Sequence, residues 1–261
     1  MSPILSEKDK QVRLSYLEEH GLSADRLPRH IALIMDGNGR WAQRQGLPRI
    51  EGHRRGVQAV RDTIEESIRL GIEQITLYCL SSENWKRPQP ELDFLMHLLE
   101  QYMIEQRQLI MDQEIKVQVI GKRQGITGQA LKEMDRTVEM SKENTKLTLC
   151  LAINYGSRAE IVDAVKSIAA SYKNGNISLD QIDENLLADR LYTAKMPDPD
   201  LLIRTAGEMR VSNYLLWQIS YSEFWVTEAC WPEFNKELYH QAIDEYAQRH
   251  RRFGGLDQRD G

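Results

Sequence analysis

Six short apolar runs punctuate the chain, separated by longer stretches in which apolar residues recur every three or four positions. The runs are HIALIMD ending at Asp36, QITLYCL ending at Leu80, KVQVIG ending at Gly121, LTLCLAIN ending at Asn154, DLLIRT ending at Thr205, and FWVTE around Val226. Their hydrophobicity is near-continuous rather than alternating, as expected of strands covered on both faces of a parallel sheet. Between them, Val57, Val60, Ile64 and Ile68 keep helical spacing, and Gly71 follows as a C′ cap. Leu92, Leu95, Met96, Leu99 and Met103 form a second stripe that opens after Pro88 and Pro90. Further helices are expected over 127–143, 158–173, 179–192 and 235–251. Strands alternating with helices of this length predict an α/β fold, a single domain with a central, mostly parallel six-stranded sheet flanked by helices.

Composition narrows the function classes. The 261 residues carry 34 Lys and Arg against 39 Asp and Glu, a net charge of −5, without the basic excess of a general nucleic-acid binder. No run approaches the roughly 18 apolar residues of a spanning helix. The segment MSPILSEKDKQ lacks the apolar core of a signal peptide, so a cytoplasmic location is expected. Cys79, Cys150 and Cys230 are far apart and show no CxxC spacing, which argues against a disulfide framework or a zinc site.

In an open parallel sheet the ligand site lies outside the carboxyl ends of the strands, which directs attention to four segments. After the first run comes Asp36-Gly37-Asn38-Gly39-Arg40-Trp41. Its glycines let the backbone approach an anion, Arg40 offers a guanidinium to phosphate oxygens, and Asp36 is placed to hold a divalent cation. Asp-Gly alone reads equally as a tight turn. A basic stretch follows: residues 26–55 hold seven arginines against Asp36 and Glu51, a local charge of +5 that leaves −10 for the rest. Within it Arg49, Gly52 and His53 stand at the entrance of a helix, where anions are favoured. The third segment, Ser81-Ser82-Glu83-Asn84-Trp85-Lys86-Arg87-Pro88, crowds polar groups at the second strand end, although a capped loop would look the same. In the fourth, Arg204 and Arg210 flank a glycine-containing turn, and Ser212 is read as opening a helix, a credible second diphosphate site. Glu223 is compatible with a surface carboxylate or a metal ligand.

Together these segments resemble the cis-prenyltransferases, the undecaprenyl diphosphate synthase family. The resemblance runs from Pro28 to Gly255 through HIALIMDGNGRWA, GHRRG, SSENWKRP, IRTAGEMRVSN and SEFWVTEACWPEF, ending in RHRRFGG. The chain has no DDxxD motif of the helical trans-prenyltransferases. The resemblance implies a catalytic domain over 26–261 preceded by a helical extension over 1–25. It implies repeated addition of isopentenyl diphosphate to an allylic diphosphate, farnesyl diphosphate by default, with Mg2+ as cofactor and undecaprenyl diphosphate as the default product. Asp36 would be essential and position Mg2+. Gly37, Asn38, Gly39, Arg40, Trp41, Arg49 and His53 would hold the allylic substrate, and Arg204, Arg210, Val211 and Ser212 isopentenyl diphosphate. Ser81, Ser82, Glu83, Asn84, Trp85 and Arg87 would form a loop over the reacting ends. Glu223 would be a second metal carboxylate, contributed near the site across a homodimer. Asn84 matches a residue given the role of proton acceptor; an amide is a very weak base, so a diphosphate oxygen is the alternative.

The helical Leu and Met stripe is a candidate wall for a growing apolar chain, with Leu147, Leu149 and Leu151 toward its floor; ordinary core packing is the competing reading. Two positions depart from the family pattern. The usual Gly-Gly-Glu-His-Arg is Ala206-Gly207-Glu208-Met209-Arg210 here, so altered affinity rather than lost activity is expected. A non-catalytic subunit and a phosphohydrolase on a similar sheet are the rival functions. Transient contact with a membrane surface is expected for release of a lipid product.

Overall fold

The computed structural model describes residues 7–249. The end of the predicted last helix and most of the RHRRFGG motif lie outside the described residues. Six strands form one sheet: β1 (His30–Ile34), β2 (Gln74–Ser81), β3 (Ile115–Ile120), β4 (Leu147–Tyr155), β5 (Leu201–Arg204) and β6 (Glu223–Val226). All neighbouring pairs are parallel, in the order β3-β4-β2-β1-β5-β6. The chain thus leaves β1 toward β2 on one side and returns to β5 on the other. That reversal opens a crevice beyond the carboxyl end of β1.

Nine helices flank this sheet among the described residues: α1 (Glu7–Glu19), α2 (Asn38–Arg44), α3 (Arg49–Leu70), α4 (Gln89–Glu105), α5 (Arg107–Asp112), α6 (Gly128–Ser141), α7 (Ser157–Lys173), α8 (Glu184–Ala188) and α9 (Lys236–Gln248). One face of the sheet packs the larger core, which includes Ile31, Leu33, Ile75, Leu77, Met103, Leu149 and Trp231. The other face packs a smaller, tyrosine-rich core with Ala32, Cys150, Tyr155, Tyr214 and Leu215. Gly71 ends α3 in the left-handed region at φ +70°, as its cap position predicts. α1 is fastened to α9 by a 2.7 Å hydrogen bond from Tyr16 Oη to Asp244. No helix among the described residues is long and apolar enough to cross a membrane.

After β1, Asn38 already begins α2, whose N-terminus Gly37 caps. Two local expectations are corrected. The helix expected over 179–192 is a short turn at Leu179–Gln181 followed by α8 alone. Ser178 and Gln181 cap the turn reciprocally, and Asp183 starts a new helix by accepting from Leu186 N–H. Ser212 does not open a helix. Ser212, Asn213 and Leu215 all have positive φ, which breaks any helical ladder there into turns.

Candidate active site

Asp36 sits two residues beyond β1, where its carboxylate meets three donors. Oδ2 accepts from Arg204 Nη2 at 2.8 Å, and Oδ1 accepts from Gly37 N–H at 2.7 Å and lies 3.1 Å from Arg40 Nη2. Burial alone would raise its pKa, but the bonds from Arg204, Gly37 and Arg40 hold it below the usual carboxylate range. Thr205 fixes the backbone beneath it, its hydroxyl accepting from Asp36 N–H and donating to Asp36 C=O. Gly37 is required here: its φ is +94°, and a Cβ would lie 2.8 Å from Ala206 Cβ and 2.9 Å from Cys230.

Arg204, at the end of β5, is only 6% exposed in its side chain. Besides Asp36 it donates to Ser212 Oγ at 2.8 Å and to the Arg210 carbonyl, so the 205–212 segment folds back over it. Glu208 binds both Arg40, at 3.0 Å, and Arg210. The reading of the sequence missed Glu208, whose place between the arginines was a usable signal. Of the two departures from the family pattern, Met209 projects into solvent at 84% exposure. Ala206 adopts φ +69°, a conformation that glycine tolerates better.

A second cluster stands across the mouth on α3 and α4. Glu91, in the first turn of α4, accepts from Arg87 Nη1 at 2.9 Å and from Arg49 Nε at 3.4 Å. His53 Nε2 lies 3.6 Å from Glu91, beyond hydrogen-bond range. Burial, aided by the nearby Arg87 charge, pushes the His53 pKa down to about 4, so the imidazole is neutral near pH 7. Three buried polar atoms at the mouth are left without a partner: His53 Nε2, Asn38 Oδ1 and Arg204 Nε. Glu91 too was not singled out in the sequence.

Between the clusters opens a cavity of about 300 Å³. Asp36, Asn38, His53, Ser81, Asn84, Arg87, Arg204 and Ser212 line its polar end. Behind them it is walled by apolar residues, among them Val60, Cys79, Leu95, Leu99, Tyr102 and Leu151. The predicted apolar wall is therefore present, with corrections: Leu92, Leu147 and Leu149 are buried in packing and do not face it. Asn84 Oδ1 accepts from Ser81 N–H at 3.0 Å. Trp85 turns away, donating to Asn154 Oδ1 at 2.6 Å. Gly37, Gly39, Arg40, Trp41, Arg49, Ser82, Glu83, Arg210 and Val211 do not line the cavity. Of these, Arg40, Arg49 and Arg210 belong to the clusters at its mouth, and Val211 packs on the smaller core. Glu223 is not brought to the site within the chain. It begins β6, in register with Leu201, whereas Arg204 pairs with Val226 at the other end; Arg249 holds it at 2.9 Å.

A polar mouth rich in arginine, continuous with an apolar cavity, is suited to molecules with a phosphorylated head and a hydrocarbon tail. Residues 34–254 match the family model described as "Putative undecaprenyl diphosphate synthase". The chain belongs to this prenyltransferase family. It is 54% identical to the isoprenyl transferase of Rhodopirellula baltica over 231 residues, 88% of this chain and 95% of that protein. It is 46% identical over 240 residues to the ditrans,polycis-undecaprenyl-diphosphate synthase ((2E,6E)-farnesyl-diphosphate specific) of Micrococcus luteus, covering 92% and 96% of the two chains. Among solved structures it is similar to lavandulyl diphosphate synthase from Lavandula x intermedia in complex with dimethylallyl diphosphate. The TM-score is 0.86 at 35% identity, over 88% of this chain and 99% of that one. A probable undecaprenyl diphosphate synthase from Campylobacter jejuni superposes with a TM-score of 0.72 at 29% identity, over 87% and 98%. The phosphohydrolase reading gives way to this match. The prenyltransferase sheet carries its polar residues at the strand ends that the switch-point rule indicates.

Proposed function

We propose that this prenyltransferase adds isopentenyl diphosphate units to farnesyl diphosphate with cis geometry and releases undecaprenyl diphosphate. The observation that carries the reading is the two arginine clusters flanking one mouth that continues into an apolar cavity. Two diphosphates need two cationic cradles, and a lengthening hydrocarbon needs an apolar sleeve. In this reading Arg49, His53, Asn38 and Arg40 hold the allylic diphosphate, while Arg204, Arg210 and Ser212 hold isopentenyl diphosphate. Asp36 keeps Arg204 oriented and faces the space between them.

The residues present fit a magnesium ion held largely by substrate. No group of three or more His, Cys, Asp or Glu side chains among the described residues could hold a metal by itself. Asp36 is one carboxylate at the mouth, and Mg2+ commonly takes one or two carboxylates plus phosphate oxygens. When bound, Mg2+ supplies neutralisation of the charge that develops on the departing diphosphate. In the reaction the allylic C1–O bond breaks, the isopentenyl double bond forms the new C–C bond, and a proton leaves the isopentenyl unit. Asn84 is not the base in this reading, because its amide oxygen already accepts from Ser81 N–H. Its Nδ2 donor orients a diphosphate, and a diphosphate oxygen takes the proton.

The protein is further proposed to act in the cytoplasm as a homodimer that touches the membrane surface only to release product, with Glu223 acting across the interface. A stripe of exposed apolar residues on α7, Val162, Val165 and Tyr172, supports association with a second copy. Incubation with farnesyl diphosphate, radiolabelled isopentenyl diphosphate and Mg2+ tests the activity, with chain length read chromatographically. A ladder ending at eleven isoprene units is expected. Phosphate release without polyprenyl product, or no turnover at all, overturns the reading.

A further inference from the structure

Asn213 follows Ser212 directly and makes bonds to two other elements. Its backbone carbonyl accepts from Ser157 N–H at 2.8 Å, and its side-chain Oδ1 accepts from Arg158 N–H at 2.9 Å. Both donors belong to the first turn of α7, so this face of Asn213 is an external cap. Its Nδ2 instead donates to Glu83 Oε1 at 2.8 Å, on the turn that carries Asn84. The chemistry fixes the amide orientation, since a backbone N–H can only donate and a carboxylate can only accept. Residue 213 also has φ +60°, which asparagine tolerates better than most side chains.

The corner is built to let these elements close. Gly156 lies between them, and a Cβ there would sit 2.4 Å from Ser82 Oγ and 2.7 Å from Asn213 Nδ2. Glu83 is held ionised: burial raises its pKa, but the bond from Asn213 and those from its own backbone, Ser81 and Ser82 bring it below the usual value. The same peptide segment bears Ser212, whose hydroxyl accepts from Arg204. Asn213 is therefore one residue from the proposed isopentenyl diphosphate cluster and one hydrogen bond from the loop that carries Asn84.

We propose that Asn213 is a positioning residue that ties the Ser82–Lys86 turn to the Arg204–Ser212 cluster, so that Asn84 is seated by the segment that binds the second diphosphate. The inference deepens the proposed prenyl transfer and rests on it for its kinetic consequence only. Asp at 213 keeps the acceptor that caps α7 and presents a second carboxylate to Glu83, separating the two duties. Gln at 83 then restores a donor–acceptor pair with its direction reversed.

The test compares Asn213→Asp, Glu83→Gln and the double variant in the full-length protein. The first measurement, hydrogen exchange in the absence of substrate, needs no turnover. For Asn213→Asp, exchange of amides 82–87 is expected to rise about ten-fold, the weight of one exposed bond to a charged group, with amides 158–160 unchanged. In the double variant the loop protection returns. In turnover, Asn213→Asp lowers kcat about ten-fold with the KM for the allylic diphosphate unchanged, and the double variant recovers most of that loss. Unchanged loop exchange in Asn213→Asp, or losses in the double variant that simply multiply, overturns the coupling. Faster exchange in the first turn of α7 assigns Asn213 to capping alone and overturns it as well. If the wild-type protein makes no polyprenyl product, the proposed function fails while the exchange measurement still decides the link.

Discussion

The two arginine clusters at the mouth are built on different supports. Arg204 and Asp36 stand at the ends of adjacent strands, with a guanidinium only 6% exposed and contacts of 2.7–3.1 Å around the carboxylate. Arg49 and His53 stand on α3 and Glu91 on α4, with Arg87 in the link just before α4; Arg49 is 47% exposed and 3.4 Å from its partner. The strand-end cluster is prearranged: each charge is already answered by another and by backbone. The helix cluster is looser in its contacts, although each cluster leaves one buried nitrogen without a bond, Arg204 Nε and His53 Nε2. Preorganised charges act without reorganising during a reaction, whereas loosely held ones adapt to a ligand. The comparison therefore assigns charge stabilisation at the reacting centre to the strand ends, and adaptable substrate capture to the helices.

Breaking the strand-end cluster should have the largest effect. Asp36→Ala leaves Arg204 buried beside no carboxylate, and removing one partner of a buried pair is costly. Turnover should fall about a thousand-fold, equivalent to about 4 kcal/mol in the transition state, with a measurable fall in Tm. Steady-state kinetics and calorimetry check both. If Asp36→Ala retained a tenth of the activity, the strand-end cluster would not be the reacting centre.

Acidification separates the clusters next. The pKa of His53 is held at about 4 against an ordinary 6.5, so between those values the unfolded chain takes up a proton that the folded one refuses. Stability from His53 is thus present above pH 6.5 and lost as the pH falls toward 4. His30, fully buried between Pro197 C=O and Thr76, is depressed to about 4 by burial and adds the same dependence from outside the site. Each contributes of the order of 3 kcal/mol as an upper bound. Asp36 also has a lowered pKa, but its contribution is lost only below the ordinary carboxylate range. The helix cluster should therefore weaken first. Urea unfolding at stepped pH should show stability falling from 6.5 to 4, and His53→Gln should remove part of that slope. An unchanged slope would mean that His53 is protonated in the folded protein.

Weakening the helix cluster directly should be milder. Arg87→Ala removes a half-exposed partner of Glu91 and should raise the KM for the allylic diphosphate about ten-fold, with Tm almost unchanged. A fall in kcat with constant KM would move Arg87 to the reacting centre and erase the contrast.

The sequence reveals these supports unevenly. All six strands were readable because both sheet faces are covered, leaving apolar runs such as Leu201–Ile203 with no ambiguity of period. The two edge strands are the exceptions: β3 alternates buried Ile115 and Val117 with half-buried Lys116 and Gln118, and in β6 only Trp225 is buried. α2 was unreadable because Gly37, Asn38 and Gly39 are poor helix formers; packing on α3, not propensity, makes that turn helical. The arginines and Asp36 were legible from type and position. Asn213 was not, because it answers Glu83, 130 positions away, and pairing of that kind leaves no local pattern. Glu91 and Glu208 have near partners in Arg87 and Arg210, but their links to Arg49 and Arg40, which place them at the mouth, lie far off in the chain. Ala206 stood out as a departure, but only the backbone reveals what it costs.

That cost supports the smallest prediction. Ala206 joins Arg204 to Glu208 at φ +69°, and its methyl faces Gly37 beneath the Asp36 cluster. A non-glycine residue in the left-handed region carries about 1 kcal/mol of strain. Ala206→Gly removes that strain but adds freedom to the unfolded chain, which returns about half of it. The net gain should be about 0.5 kcal/mol, about 1–2 °C in Tm for a chain of this size. Turnover should change little, because Arg204, Thr205 and Glu208 keep their bonds to Asp36 and Arg40. A fall in Tm of several degrees would mean that the methyl's packing against Gly37 outweighs the strain. A large loss of kcat without such a fall would mean that the strain itself holds the strand-end cluster in its reactive arrangement.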